Sequence, residues 1–245
     1  MDTTRKLAIA AGVCYLITHV TSVPAALLYG PILKRADYIL GSGPDVRVLV
    51  GGLLEVICAL GIVGTAVALF PVVKRQNEGI ALGYVGLRTL EASIIAVGVL
   101  PLLTVVTLRQ QLAGTAGADP APLVTLGKAL VAVHNWTTIL GPGLVCPANT
   151  VLLAYLLYRS GLVPRVIPVL GLVGAPLVFA YNAALLFGLS AHIPGWVAIA
   201  VVPIFAWEVS LALWLIVKGF RPAALAATSA RPAATELVSA AAGAA

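Results

Sequence analysis

The sequence predicts an all-α protein that crosses a membrane with six helices, and its composition is the first observation behind this prediction. The 245 residues are 60% hydrophobic and only 10% charged, with a mean hydropathy of +1.05. Soluble domains are about 45–50% apolar and roughly a quarter charged. So few charges cannot solvate the surface of a globule of this size. The composition therefore excludes a soluble enzyme, a nucleic-acid-binding protein and a disordered chain.

The second observation is six apolar runs, each long enough to cross a bilayer. A helix of about 20 apolar residues, rising about 1.5 Å per residue, spans the roughly 30 Å of hydrocarbon. The first run exceeds the roughly 7–15 apolar residues of a signal peptide, so we interpret it as a span. Unbroken runs also exclude the alternating strands of a β-barrel. The predicted spans are residues 7–33, 48–73, 79–108, 123–158, 166–189 and 196–217.

Prolines, the C-terminal segment and the cysteines add detail to the predicted arrangement of six spans. Pro142 and Pro147 remove backbone donors within the fourth run, which predicts a kinked helix there. Residues 222–245 are rich in Ala and contain no aromatic side chain, so we expect a disordered C-terminal tail. The cysteines lie inside apolar runs without metal-ligand spacing, which is typical of buried free thiols.

The third observation is the distribution of basic residues between the spans, which predicts the orientation. If both termini are cytoplasmic, nine basic residues lie inside and five outside, and this bias is the one that the positive-inside rule favours. The inner nine are Arg5, Lys6, Lys74, Arg75, Arg159, Arg165, Lys218, Arg221 and Arg231. The outer five are Lys34, Arg35, Arg47, Arg109 and Lys128.

Ionisable residues at membrane depth are the candidate functional residues. A central charge costs about 2.5–3.5 kcal/mol on the insertion scale, so such a group faces the bundle interior. Arg88 and Glu91 are three residues apart and share a helical face. Glu208 falls at nearly the same depth, about 12 Å from the inner side of the hydrocarbon. We therefore predict one buried polar cluster. Because two acids face one Arg, we expect one acid to hold a proton.

Two weaker predictions concern other polar residues within the spans. Glu55 and His134 both fall in the outer half of the membrane, where they could form a second polar pair. Asn149 follows Pro147 closely and could satisfy carbonyls that the kink releases. His19 has no partner that the sequence identifies. The spacing of these groups supports no metal site.

Two functions stay open from these residues. No catalytic or phosphate-binding motif occurs, so we predict neither catalytic residues nor a cofactor. The first function is a small channel or transporter-like protein, in which the buried charges line a path for a proton or small solute. The second is a structural or partner-binding membrane protein, in which those charges fix helix packing. A water-filled cavity that reaches Glu91 and Glu208 would favour the first, and a dry bundle the second.

Several segments in order resemble the bacterial domain of unknown function 4386 family. They are ALGYVGLRTLEA at 81–92, HNWT with LGPG at 134–143, LLYRSGLVPR at 156–165, LGLVGAP at 170–176, and the stretch from Trp207-Glu208 to Lys218-Gly219-Phe220. The resemblance extends over nearly the whole chain up to Arg221. In that family an acid commonly stands where this chain has Asn135. The resemblance implies a multi-pass protein of the bacterial inner membrane, with the lipid bilayer as its partner and no assigned activity.

Overall fold

The computed structural model describes residues 2–35, 37–41, 45–112, 120–189 and 195–226. Over these residues it contains helices and turns and no strand, which confirms the predicted all-α fold. The elements are α1 Thr3–Leu28, α2 Gly30–Lys34, a 3-10 turn Tyr38–Leu40, α3 Val46–Val73, α4 Glu78–Leu112, α5 Pro120–Thr138, a π-helical segment Ile139–Val145, α6 Cys146–Ser160, α7 Val166–Leu186 and α8 Trp196–Val217.

Six stretches are long and apolar enough to cross a membrane, which confirms a multi-pass membrane protein. They are Thr3–Leu28, Val46–Val73, Glu78–Gln111, Pro120–Ser160, Val166–Leu186 and Val197–Val217. The first crossing ends earlier than residue 33, because Gly30 and Pro31 begin the short helix α2. Proline cannot continue a helix from its preceding turn but fits the first turn of a new one.

The fourth crossing is continuous but contains the π-helical segment where the sequence predicts a kink. Pro142 lies inside this segment, between Gly141 and Gly143. Both glycines are buried, and a Cβ on Gly141 would lie 3.0 Å from the Ile94 side chain of α4. The wider turn therefore accommodates a proline while it keeps the segment close to α4.

The crossings close into a ring in which the first one touches the last. α1 packs against α3 and α8, α3 against α4, α4 against α5 and α6, and α7 against α6 and α8. Glycines allow the closest approaches: a Cβ on Gly12 would lie 2.6 Å from the Ala212 carbonyl oxygen, and one on Gly174 would lie 2.6 Å from the Ile204 nitrogen. Small residues at such crossings let helix backbones pack tightly in lipid.

Arg5 joins the two helices that close the ring. Its Nη1 donates to the Leu215 carbonyl at 2.9 Å, and its Nη2 donates to the carbonyls of Ile216 and Val217 at 2.6 and 3.2 Å. These are carbonyls of the last turn of α8, which have no partner within the helix. A guanidinium also suits the negative end of the helix dipole.

The predicted disordered tail, residues 222–245, lies mostly outside the described residues. Its first part departs from the prediction, because residues 222–226 are helical. Leu225 packs against the main apolar core. Burial of this one leucine gives the segment an apolar anchor that its Ala-rich composition did not indicate.

Candidate functional site

Arg88 occupies the centre of the bundle with a partner near each side-chain nitrogen. Its Nε donates to Thr65 Oγ1 at 3.2 Å, and its Nη1 donates to Glu91 Oε2 at 3.0 Å. Its Nη2 lies 3.9 Å from Glu208 Oε1. Arg88 is 2% exposed and Glu91 3%. The structure thus brings the three residues of the predicted cluster into contact, with Arg88 between the two acids.

Glu208 has a second basic neighbour, His19 of α1. Their closest atoms, His19 Nε2 and Glu208 Oε2, are 3.3 Å apart. This nitrogen is buried and makes no well-aligned hydrogen bond to the described residues, so the contact is an ion pair only when the imidazole is protonated. The His19 ring also packs edge-on against Phe205, with centroids 4.9 Å apart.

The neighbouring Trp207 fixes the direction in which Glu208 points. Trp207 is fully buried, and its ring lies so close to Gly171 of α7 that a Cβ there would be 2.8 Å from Cδ2. Successive residues on a helix point about 100° apart. With Trp207 against α7, Glu208 therefore points towards α1 and α4, where His19 and Arg88 lie.

A chain of hydroxyl groups completes the cluster on the side of α3. The hydroxyls of Tyr15 and Tyr84 are 3.5 Å apart, and Tyr84 donates to Thr65 Oγ1 at 3.4 Å. Thr65 in turn donates to the Ile62 carbonyl at 2.7 Å. The guanidinium of Arg88 also lies over the Tyr15 ring, 5.1 Å from its centroid. Arg88 therefore donates two hydrogen bonds to side chains inside the bundle, from Nε and from Nη1, as is usual for a buried polar group.

Asn149 combines the predicted role with one that the sequence did not indicate. Its Nδ2 donates to the Val145 carbonyl at 3.3 Å, within the π-helical segment. The same amide donates to Glu91 Oε2 at 2.8 Å. The fourth crossing is thereby linked to the cluster, to which α1, α3, α4, α6 and α8 now all contribute.

Glu55 and His134 line a common cavity, but the structure gives each of them a different partner. Glu55 Oε2 accepts from the Tyr29 hydroxyl at 3.1 Å, and His134 Nδ1 lies 2.8 Å from the Gly98 carbonyl oxygen. The rings of Tyr29 and His134 meet edge to face, with centroids 5.4 Å apart. Tyr29 therefore stands between the two residues. In the described residues the predicted polar pair therefore makes no direct hydrogen bond or ion pair, and Tyr29, just after α1, contacts both members.

The cavity beside Glu55 has a volume of about 220 Å³ and mixed walls. Ser22, Thr137, Thr138 and Cys58 are among the residues that line it, and most of the lining surface is apolar. Cys58 is close enough to Glu55, Glu91 and Arg88 to interact electrostatically with each of them. Its Sγ lies 3.7 Å from the carbonyl of Thr18, the residue before His19. Cys58 thus lies between the cavity and the buried cluster.

A second ion pair anchors the connection between the first two crossings. Arg109 of α4 pairs with Asp45 and donates from Nε to the Gly41 carbonyl at 2.8 Å. The Tyr38 hydroxyl donates to Asp45 Oδ1 at 3.0 Å, under the Arg109 guanidinium. Burial and the bond to Asp45 raise the pKa of the Tyr38 hydroxyl above its ordinary value, because both disfavour the phenolate. The Tyr38 hydroxyl therefore stays protonated at neutral pH and remains a hydrogen-bond donor.

Charge balance determines what the central cluster can do chemically. With both carboxylates ionised and His19 neutral, Arg88 leaves one negative charge uncompensated. An unpaired charge in a low-dielectric interior is strongly unfavourable. One proton shared among His19, Glu91 and Glu208 makes the cluster neutral. Within the described part of the chain, no three His, Cys, Asp or Glu side chains form a metal-binding group.

Comparison with known proteins identifies a family and no activity. Neither the curated proteins nor the solved structures include a match to this chain. A family model described as a domain of unknown function, DUF4386, matches residues 10–219. The match extends from the first crossing to the end of the last and includes every residue of the central cluster. This chain therefore belongs to the DUF4386 family of multi-pass membrane proteins.

Proposed function

We propose that this protein is a transporter-like protein that binds and releases a proton at its central cluster. The observation that supports this most strongly is the His19–Glu208 contact beside the Arg88–Glu91 pair. The cluster is neutral only when it holds one extra proton, and His19 offers a second position for it besides the acids. A group that holds a proton between two acceptors is suited to exchange it.

A polar route towards one side of the bilayer supports the same function. The side chains of His19 and Glu208 keep 18% and 13% of their surface exposed, unlike the nearly inaccessible Arg88. The cavity at Glu55 and His134 is also lined by Cys58, although Glu91 and Glu208 are not part of its lining. Cys58 Sγ lies 3.7 Å from the carbonyl of Thr18, which precedes His19. Intramembrane ionisable residues in such a series are typical of proton relays.

Charge displacement after a pH jump tests this proposal without knowledge of a solute. Proteoliposomes on a solid-supported membrane report a transient current when protons enter a site inside the membrane. We expect such a current from the wild-type protein. We expect its loss in Glu208→Gln, because the amide imitates the protonated acid and cannot exchange its proton. Glu78→Gln is the matched control, since Glu78 is an exposed acid at the start of α4; this variant should keep the current.

Two results would overturn the proposal. One is a wild-type protein with no pH-dependent displacement in either direction of the jump. The other is a current that Glu208→Gln leaves unchanged, which would assign the displaced charge to other groups.

A purely structural role is the second candidate, and the burial of Arg88 among polar side chains favours it. Three polar partners surround this guanidinium, and it is nearly inaccessible. Such an arrangement also fixes the register of packed helices. In that case Glu208→Gln would change the stability of the protein, and its transient current would be no smaller than that of the wild type. The same experiment therefore separates the two functions.

We further propose the bacterial inner membrane as the location, with both termini in the cytoplasm. The excess of basic residues at the end that contains Lys74, Arg159 and Lys218 supports this orientation. In this orientation the cavity at Glu55 lies in the outer half of the membrane, and the proton reaches the cluster from the periplasmic side.

A further inference from the structure

A second cavity lies at the end of the bundle where the first two crossings are connected. It has a volume of about 230 Å³ and is formed by α2, the 3-10 turn, α4 and α5. It is separate from the central cluster, with which it shares no residue. What it binds is therefore independent of the proposed proton site.

Basic side chains from two parts of the chain line this cavity. Lys34 and Arg35 come from the end of α2, and Lys128 comes from α5. The described residues that line the cavity include no carboxylate. Asp37 lies 3.6 Å from Arg35, but both side chains are more than half exposed, and an exposed pair of this kind offsets little charge. The cavity therefore attracts an anion.

The inner part of the cavity is apolar. Ile32, Ile39 and Val105 are at most 2% exposed and belong to one packed cluster. Asn135 and Tyr38 add polar groups to the lining of the cavity. A free inorganic anion would contact only the basic residues at the rim of the cavity. An amphiphile with an anionic headgroup uses both parts, because its hydrocarbon avoids water against the apolar wall.

The cavity is held in shape by the ion pair described above. Arg109 binds Asp45 and the Gly41 carbonyl, and its guanidinium lies 4.5 Å from the centroid of the Tyr38 ring. The 3-10 turn that forms one wall is therefore fixed to α4. A pre-formed wall lowers the ordering cost of binding.

Most of the five basic residues that are predicted to lie outside belong to this cavity or to the ion pair beside it. Three of the five, Lys34, Arg35 and Lys128, line one cavity, and Arg109 is paired with Asp45. Lys34 and Arg109 lie in the last turns of α2 and α4, and Lys128 lies in the first half of α5. Anion binding at this cavity explains why these basic residues occur at the end of the bundle that has fewer basic residues.

We propose that this cavity binds the phosphate ester headgroup of an anionic phospholipid. Lys34 and Lys128 neutralise the phosphate, and the first part of an acyl chain lies along Leu33 and Val131, which line the cavity and are partly exposed. A soluble phosphate ester presents the same headgroup chemistry, so the experiment must separate the two sources.

Native mass spectrometry of the purified full chain in neutral detergent measures this binding. Phosphatidylglycerol, phosphatidylcholine and glycerol 3-phosphate are the three probes. We expect phosphatidylglycerol to bind at least tenfold more tightly than either of the others. The double variant Lys34→Gln, Lys128→Gln should weaken it about fivefold per lysine, or roughly 25-fold, from about 1 kcal/mol per basic residue near an anionic surface.

Matched variants make the outcome decisive. Arg47→Gln with Lys74→Gln removes two exposed charges elsewhere and should change affinity less than twofold. Lys34→Arg with Lys128→Arg keeps the charge and should retain binding, which also shows that these positions tolerate substitution. Equal affinity for phosphatidylcholine, or unchanged affinity in the double Gln variant, would overturn the proposal. Glycerol 3-phosphate that binds as tightly as the lipid would assign the cavity to a soluble ester instead.

Discussion

Arg88 is the residue on which the centre of the bundle depends, because it alone neutralises the two acids when His19 is uncharged. Replacement by leucine would remove its bonds to Thr65 and Glu91 and leave both carboxylates without a cation. Removing one partner of a buried ion pair lowers the free energy of unfolding by about 3–5 kcal/mol. We expect Arg88→Leu to lower the free energy of unfolding by that amount in a denaturing-detergent titration. Arg47→Leu, at an exposed position, should change it by less than about 0.5 kcal/mol.

Glu208→Gln should be much milder for stability than Arg88→Leu. The amide keeps the shape of the protonated acid and its contacts with His19 and Arg88. Polar contacts between membrane helices average about 0.6 kcal/mol, so we expect a loss below about 1 kcal/mol in the same titration. A loss as large as that of Arg88→Leu would mean that Glu208 is permanently ionised and that its charge is essential to folding.

Part of the central site was predictable at the residue scale, and its role stays a prediction. The spacing of Arg88 and Glu91 on one helix gives their proximity directly, since i, i+3 neighbours share a face. Depth along a helix also gives the level of Glu208. His19 was not predictable as its partner, because the contact depends on which crossing packs beside which. Hydropathy contains no information about neighbours in the ring, and the same reason applies to Tyr15, Thr65 and Tyr29.

At the scale of elements, close backbone contacts determine how α7 and α8 meet. A Cβ on Gly174 would lie 2.6 Å from the backbone nitrogen of Ile204, and backbone cannot rotate away as a side chain can. We expect Gly174→Ala to cost about 1–3 kcal/mol through overpacking. Gly86→Ala is the matched control, because nothing lies within 4 Å of its added Cβ. That helical position should gain about 0.5–1 kcal/mol, and thermal melting of both variants measures the difference.

The number and class of the elements were predictable, whereas their internal irregularities were not. Six runs of apolar residues require six helical crossings, because backbone groups surrounded by lipid can form hydrogen bonds only with other backbone groups of the protein. Pro142 indicates a distortion in the fourth crossing. Its form as a seven-residue π-helical segment depends on the packing of Gly141 and Gly143 against α4 and α7. The early end of α1 likewise depends on Tyr29, whose ring lies within 2.6 Å of the Cβ position of Gly51.

At the scale of the whole molecule, the orientation in the membrane is testable with reporter fusions. Fusions after Val73, Leu108, Tyr158 and Leu189 should report inside, outside, inside and outside, because basic residues concentrate at one end of the bundle. Paired alkaline phosphatase and fluorescent protein reporters give opposite signals on the two sides. A fusion after Arg221 with alkaline phosphatase activity would contradict the predicted cytoplasmic C-terminus.

Two truncations test where the folded chain ends. Removal of residues 227–245 should leave the melting temperature unchanged, since this segment has no aromatic residue and nine of its 19 residues are Ala. Removal from Ala223 onwards also deletes Leu225, which packs against the core. We expect the longer truncation to lose about 1 kcal/mol of stability. Equal melting of both truncated proteins would show that Leu225 contributes nothing.

Contact between the first crossing and the last has a consequence for biogenesis. The ribosome delivers α1 to the membrane long before α8, so Arg5 and His19 enter the bilayer before their acceptors have been synthesised. The Arg88–Glu91 pair, by contrast, is complete as soon as α4 is inserted. Every intermediate that lacks α8 therefore lacks the carbonyls that Arg5 binds and leaves the α8-facing side of α1 uncovered. The ring closes, and Glu208 meets His19 and Arg88, only when the last crossing is inserted.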